Sequence, residues 1–202
     1  MSVPTTEEAA AFLSPLKGRV ALASFHDKDT KMRTINFLMA CASKLRIETR
    51  ILDTDAFCST LISQLSDGTS GDFLDHTRIV LPANGFDVGY LPLLISSKTG
   101  LFIIDDLNSL FSLASVKSES HRLFAIMKII SYHAKMNKSW VIATAYRSDW
   151  NRTPNANQRS LESLADLILE GGTGDLPTKP RAALGTRAQN RIRPPDYLET
   201  KT

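Results

Sequence analysis

The chain of 202 residues predicts an α/β domain built on a mainly parallel central sheet flanked by helices. Three observations carry that expectation. Short apolar runs such as Leu101-Phe-Ile-Ile104 lack the polar alternation of a half-exposed strand, which is the habit of strands covered on both faces. Stretches of helical period separate these runs at the spacing of βαβ units. The central run also ends abruptly in two carboxylates, Asp105 and Asp106, and ligands of open α/β sheets bind beyond the carboxyl ends of such strands.

Each element has its own local signal. Thr5-Thr-Glu-Glu8 has the spacing of a capping box, so a short helix starts there and ends near Pro15 and Gly18. Arg19–Phe25 reads as the first strand. His26–Lys31 is a charged loop, and Met32–Leu45 carries a helical apolar stripe. Ile47–Asp53 is a second strand, followed by a helix through about Gln64 and a polar loop over Ser66–Asp72. Thr77–Leu81 is a short strand, and Tyr90–Ser97 a helix with Pro92 in its first turn, where proline is tolerated. A helix over Ser118–Met136 separates the central strand from Ser139–Ala145. Leu164–Leu169 is a further strand, with Lys179–Leu184 pairing onto it as an edge hairpin. Residues 1–17 form an N-terminal helix and linker, 18–185 one domain, and 186–202 a basic tail without apolar periodicity.

Composition narrows the function. A hydrophobic fraction of 43% and a charged fraction of 22% are those of an ordinary soluble domain. No apolar run reaches the roughly 20 residues that span a bilayer, and the N-terminus lacks the basic and apolar regions of a secretory signal. The expectation is an intracellular protein, cytoplasmic or nuclear, without a membrane partner. Cys41 and Cys58 have no ligand spacing and read as buried thiols in a reducing compartment. His26, His76, His121 and His133 are scattered, without HExxH, so no metal site is expected. No GxSxG or Cys/His signature marks a hydrolase nucleophile.

At the strand ends a resemblance emerges. Asp53-Thr54-Asp55-Ala56-Phe57 is similar to the Asp-Thr-Glu-Gly-x-Phe pattern that closes the second strand of archaeal and eukaryotic recombinases. Leu101–Phe111 resembles a Walker B strand and the helix start after it, and Trp140–Tyr146 the later strand that ends near a nucleotide-sensing residue. Together these resemble the RecA/RadA recombinase superfamily, including its KaiC-like members and the Elongator RecA-like subunits. The resemblance implies a RecA-like P-loop NTPase fold over about residues 15–185. It also implies that Asp105 is a magnesium-linked Walker B residue and that Asp55 stands where a glutamate orients the attacking water. Asp53, Asp55 and Asp106 read equally well as helix caps.

The departure lies in the P-loop. A GxxxxGK[ST] loop needs glycines to aim its amides at phosphates, a lysine for the β/γ-phosphates and a hydroxyl for magnesium. The matching stretch is Phe25-His-Asp-Lys-Asp-Thr-Lys31-Met32: Lys31 is in place, both glycines are replaced, and Met32 fills the hydroxyl position. Thr30, Thr34, Lys31, Asp105 and Asp106 are therefore the candidates for a vestigial nucleotide site. No cofactor is expected, with ATP and magnesium disfavoured, and Lys31 or Lys28 is expected to pair with Asp105.

Phe37-Leu-Met-Ala40 and Phe111-Ser-Leu-Ala114 match an FxxA docking pattern but lie in helical apolar stripes, which favours core packing. Arg147, Trp150, Arg152, Arg159, Arg181, Arg187, Arg191 and Arg193, with Tyr146, are candidates for phosphate contact and base stacking. The net charge of +3 is too small to demand a nucleic acid by itself. The expected role is a non-catalytic partner subunit: a recombinase paralogue in homologous recombination and DNA repair that binds a RecA-like protein and single-stranded DNA. The alternatives are an Elongator-type subunit of a tRNA-modifying assembly and an active ATPase with an unusual loop.

Overall fold

In the computed structural model the described residues are 4–60, 76–82, 88–96, 98–113, 117–146, 162–170 and 181–182. Strands β1 (Arg19–Phe25), β2 (Thr49–Asp53), β3 (Thr77–Val80), β4 (Leu101–Asp105), β5 (Trp140–Tyr146), β6 (Leu167–Glu170) and β7 (Arg181–Ala182) form one sheet in the order β3-β2-β4-β5-β1-β6-β7. All pairs are parallel except β6 with β7, the expected edge hairpin. The helices are α1 (Thr6–Leu13), α2 (Lys28–Lys44), α3 (described over 57–60), α4 (Leu91–Ser96), α5 (Leu107–Leu113) and α6 (Lys117–Asn137).

Side chains of a strand alternate between faces, so a strand covered on both sides must be apolar throughout. Val20, Leu22, Phe102, Ile104, Val141 and Ala143 face one core with α4, α5 and α6. Ala21, Ala23, Phe25, Ile51, Leu101, Ile103 and Ile142 face the other, with α1 and α2. That alternation sets the site. Asp53, Asp105 and Thr144 continue the positions of Ile51, Ile103 and Ile142, so all three turn toward α2.

Several boundaries move. The Thr5–Glu8 capping box forms as expected: the Thr5 hydroxyl accepts from the Glu8 amide, and the Glu8 carboxylate accepts from the Thr5 amide. Pro15 does not stop the chain turning but sits in a 3-10 turn over Ser14–Leu16, and the reversal falls at Gly18, with φ of 72°. The charged loop shrinks to His26 and Asp27, because α2 begins at Lys28 under an Asp27 cap. β2 starts at Thr49, and β6 at Leu167 rather than Leu164. Phe37 packs in the α2-side core, as its apolar stripe implies, whereas the Phe111–Ala114 side chains and the loop over Ser66–Asp72 lie outside the described residues. The basic tail lies outside them too.

Trp140, Leu13 and Gly100 lock the lower edge of the sheet. The Trp140 indole donates to the Leu13 carbonyl at 2.7 Å, and the Leu101 amide to the Glu48 carbonyl at 2.9 Å. A Cβ on Gly100 would lie 2.9 Å from that same carbonyl oxygen, closer than real contacts allow. Gly100→Ala is expected to lower stability by about 1–3 kcal/mol through this backbone clash, read from urea denaturation. A neutral result would mean that the Glu48 backbone gives way freely.

Candidate functional site

The site is built where the carboxyl ends of β2, β4 and β5 meet the start of α2. β2 and β4 run in register with Asp53 beside Asp105, so two carboxylates share one sheet edge. Both are buried, at 1% and 0% exposure. From α2, Lys31 reaches into this edge at 1% exposure, with its Nζ 2.7 Å from Asp105 Oδ1 and 3.3 Å from Asp55 Oδ2. The expected pair of Lys31 with Asp105 is therefore present. The Phe57 and Tyr146 rings lie 4.5 and 4.9 Å from the ammonium, within cation–π range.

Asp105 is satisfied on both oxygens. Oδ1 takes Lys31 and a short hydrogen bond donated by the Thr144 hydroxyl; Oδ2 accepts from the Cys58 thiol at 3.1 Å. Thr54 pins the loop after β2 to the end of β4, its hydroxyl accepting from the Asp106 amide at 2.8 Å. The Asp105–Asp106 peptide is cis. Asp106 caps α5, accepting from the Ser109 amide at 2.7 Å, and Asp55 accepts from the Phe57 amide at 3.1 Å. Asp53 Oδ2 accepts from the amide and hydroxyl of Ser59, while its buried Oδ1 has no hydrogen-bond partner. One ligand atom each from Asp53, Cys58 and Asp105 lies within 4.8 Å of the others, a grouping able to hold a metal ion.

The first turn of α2 is equally self-contained. Asp27 Oδ1 accepts from the Thr30 amide at 2.7 Å and Oδ2 from the Thr30 hydroxyl at 2.8 Å. Thr30 thus serves the cap, and Thr34 is fully buried with its hydroxyl unpaired. Neither threonine sits among the carboxylates that the resemblance assigns to magnesium. Sequence reasoning missed the cap, although Asp27-x-x-Thr30 has cap spacing. It also missed Cys58, Phe57 and Thr144, whose roles depend on contacts between distant strand ends. Tyr146, expected as a stacking platform, instead covers Lys31. Arg147, Trp150, Arg152, Arg159, Arg187, Arg191 and Arg193 lie outside the described residues, and Arg181 belongs to β7.

Burial opposes the charge on Lys31, but the Asp105 and then the Asp55 carboxylates outweigh it and raise its pKa. For Asp105 burial raises the pKa, opposed by Lys31 and by the hydrogen bonds from Thr144 and Cys58. Burial also raises Tyr146, and raises Cys58 together with the neighbouring Asp105 charge; it pushes Cys41 up to about 12.

The chain has the fold of the RecA superfamily. Among solved structures it is similar to the RadB recombinase, with a TM-score of 0.57 at 14% identity, covering 84% of this chain and 81% of that one. At this identity the likeness is one of fold. No family model and no curated protein matches the sequence.

Two predictions follow from the geometry. Ala56, with φ of 59°, holds a left-handed conformation at the position of the recombinase glycine. Ala56→Gly is expected to relieve the strain and raise stability by about 0.5–1 kcal/mol in urea titrations; a loss would show that Ala56 is unstrained. Cys41, Cys58, Tyr146 and Lys31 all have folded pKa values above their ordinary ones. Their stabilisation is present at lower pH and lost as pH climbs through the ordinary thiol value of 9.0 and past the ordinary ammonium value of 10.5. The urea midpoint should fall across that window, and a midpoint that rises there would contradict the assignment.

Proposed function

We propose that this chain is a nucleotide-independent RecA-like subunit: a recombinase paralogue that binds a RecA-like protein and single-stranded DNA in homologous recombination and repair. One observation carries the reading. The start of α2, where a P-loop would present amides to phosphate, already carries the Asp27 carboxylate, and the would-be phosphate lysine is buried against Asp105. A triphosphate arriving there meets like charge from Asp27, Asp29 and Asp55 and finds no glycine to turn the loop around it. These residues do not fit a magnesium nucleotide.

The recombinational role rests on the likeness to the RadB recombinase. A protein partner has its own support. Ile129, Tyr132 and Met136 recur on one side of α6 at helical spacing and are 45%, 61% and 62% exposed. They stand beside α4, which packs on α6 and exposes Leu93 at 61%. Exposed apolar groups gathered in this way are characteristic of protein-binding surfaces. Among the described residues, no helix is long and apolar enough to cross a membrane.

The test is a thermal-shift titration with magnesium-ATP and magnesium-ADP, alongside binding of single-stranded DNA and of tRNA across a salt series. A ligand that binds the native state raises its stability by mass action, by about 2.7 kcal/mol at a hundredfold excess over Kd. No shift is expected with either nucleotide. DNA affinity should fall with salt, with a slope that counts the phosphates contacted. A clear shift in wild type that vanishes in Lys31→Ala would overturn the reading in favour of an ATPase. Selective binding of tRNA would favour the Elongator-type alternative.

A further inference from the structure

We infer that the Lys31 ammonium is a built-in counter-ion occupying a latent divalent-cation site. The inference rests on the nucleotide-independent reading and deepens it, because it says what the site holds in place of a magnesium nucleotide.

The donor set is that of a hard-cation site: carboxylates of Asp53, Asp55 and Asp105 with the Thr144 hydroxyl beside them. Asp105 is wholly buried, yet its only cationic contact among the described residues is Lys31. Asp53 Oδ1 points to the same need. It is a buried carboxylate oxygen with no hydrogen-bond partner, on a residue paired in register with Asp105. A group of acids packed this closely requires a positive charge to remain ionised. Lys31 supplies it from a covalent tether, and the Phe57 and Tyr146 rings close over the ammonium. A divalent ion at this point would have to displace Lys31 from Asp105, so the wild-type protein should hold none.

The consequence is structural as well as chemical. One ammonium ties the first turn of α2 to the end of β4 and to the loop after β2. In a nucleotide-driven relative of this fold these segments would report on the ligand. Here they are held in one arrangement by the chain itself.

The experiment measures melting temperature against manganese and magnesium chloride alone, without nucleotide, in wild type, Lys31→Ala and Lys31→Ala/Asp105→Asn. Wild type should be unmoved by either ion. Lys31→Ala should melt roughly 10 °C lower, as expected when one partner of a buried pair is removed, and should regain several degrees in millimolar manganese. The double variant should gain nothing. If Lys31→Ala fails to fold, Lys31→Met, which keeps the buried stem, is refolded with and without manganese, and manganese-dependent recovery supports the same conclusion. The inference is overturned if the folded variant gains nothing from either ion or if neither variant refolds in manganese. A gain that survives Asp105→Asn, or that wild type shares, also overturns it. Nucleotide binding by wild type would instead strike at the proposed function, so the two failures are distinguishable.

Discussion

An ammonium and a carboxylate buried together are a costly arrangement unless each finds close partners, because removing either ion from water costs several kcal/mol. Lys31 and Asp105 meet that requirement. Their contact is 2.7 Å, and Asp105 also accepts from Thr144 and Cys58. Asp55 and two aromatic rings complete the surroundings of the ammonium. Much else is then fixed. The helix α2 must start where its fourth residue can reach the sheet, the loop after β2 must fold back over it, and β5 must bring Thr144 alongside β4. Removing any one of these groups leaves a charge or a polar atom stranded in a dry interior, which is why the cluster behaves as a unit.

The sheet explains why these residues meet. Parallel strands all deliver their carboxyl ends to one edge, and a period of two gives Asp53, Asp105 and Thr144 the same face. In a liganded member of such a fold, polar residues there can be satisfied by what they bind. Here the same edge is satisfied internally: Lys31 answers the carboxylates, Asp27 answers the α2 amides, and Asp106 answers α5. The likeness to the RadB recombinase at 14% identity fits this division. The core pattern needed for the fold is retained, while the polar end of the sheet has settled into contacts of its own.

How far the sequence revealed this depended on the range of the signal. Strands such as Leu101–Asp105 and Trp140–Tyr146 were legible because burial on both faces leaves no polar residue in the run. The Lys31–Asp105 pair was legible only through the resemblance, which placed a lysine and an aspartate at positions that meet in that fold. What escaped was local competition and lateral contact. The stretch His26–Lys31 looked like a loop because it is charged, yet Asp27 and Thr30 cap a helix within it. Cys58 read as an apolar thiol, and nothing in its neighbourhood of the chain announces a hydrogen bond to Asp105, which is far away in sequence.

That contrast bears on what the degenerate loop means. Had Phe25–Met32 simply lost its glycines by drift, its amides and its lysine would be left to solvent. Instead Asp27 takes up the Thr30 amide and hydroxyl, and Lys31 is among the most buried side chains of the fold. Each replacement supplies, from within the chain, the opposite charge that a nucleotide and its metal would have brought: a carboxylate where phosphate belongs, and an ammonium where the cation belongs. The two substitutions are complementary, since an anion at the helix start alone would repel Asp55 and Asp105, and a lysine alone would leave the helix amides open. A site rebuilt in both signs at once keeps the sheet edge closed without a ligand, which leaves the outer faces of the domain, rather than its nucleotide edge, as the surfaces through which it acts.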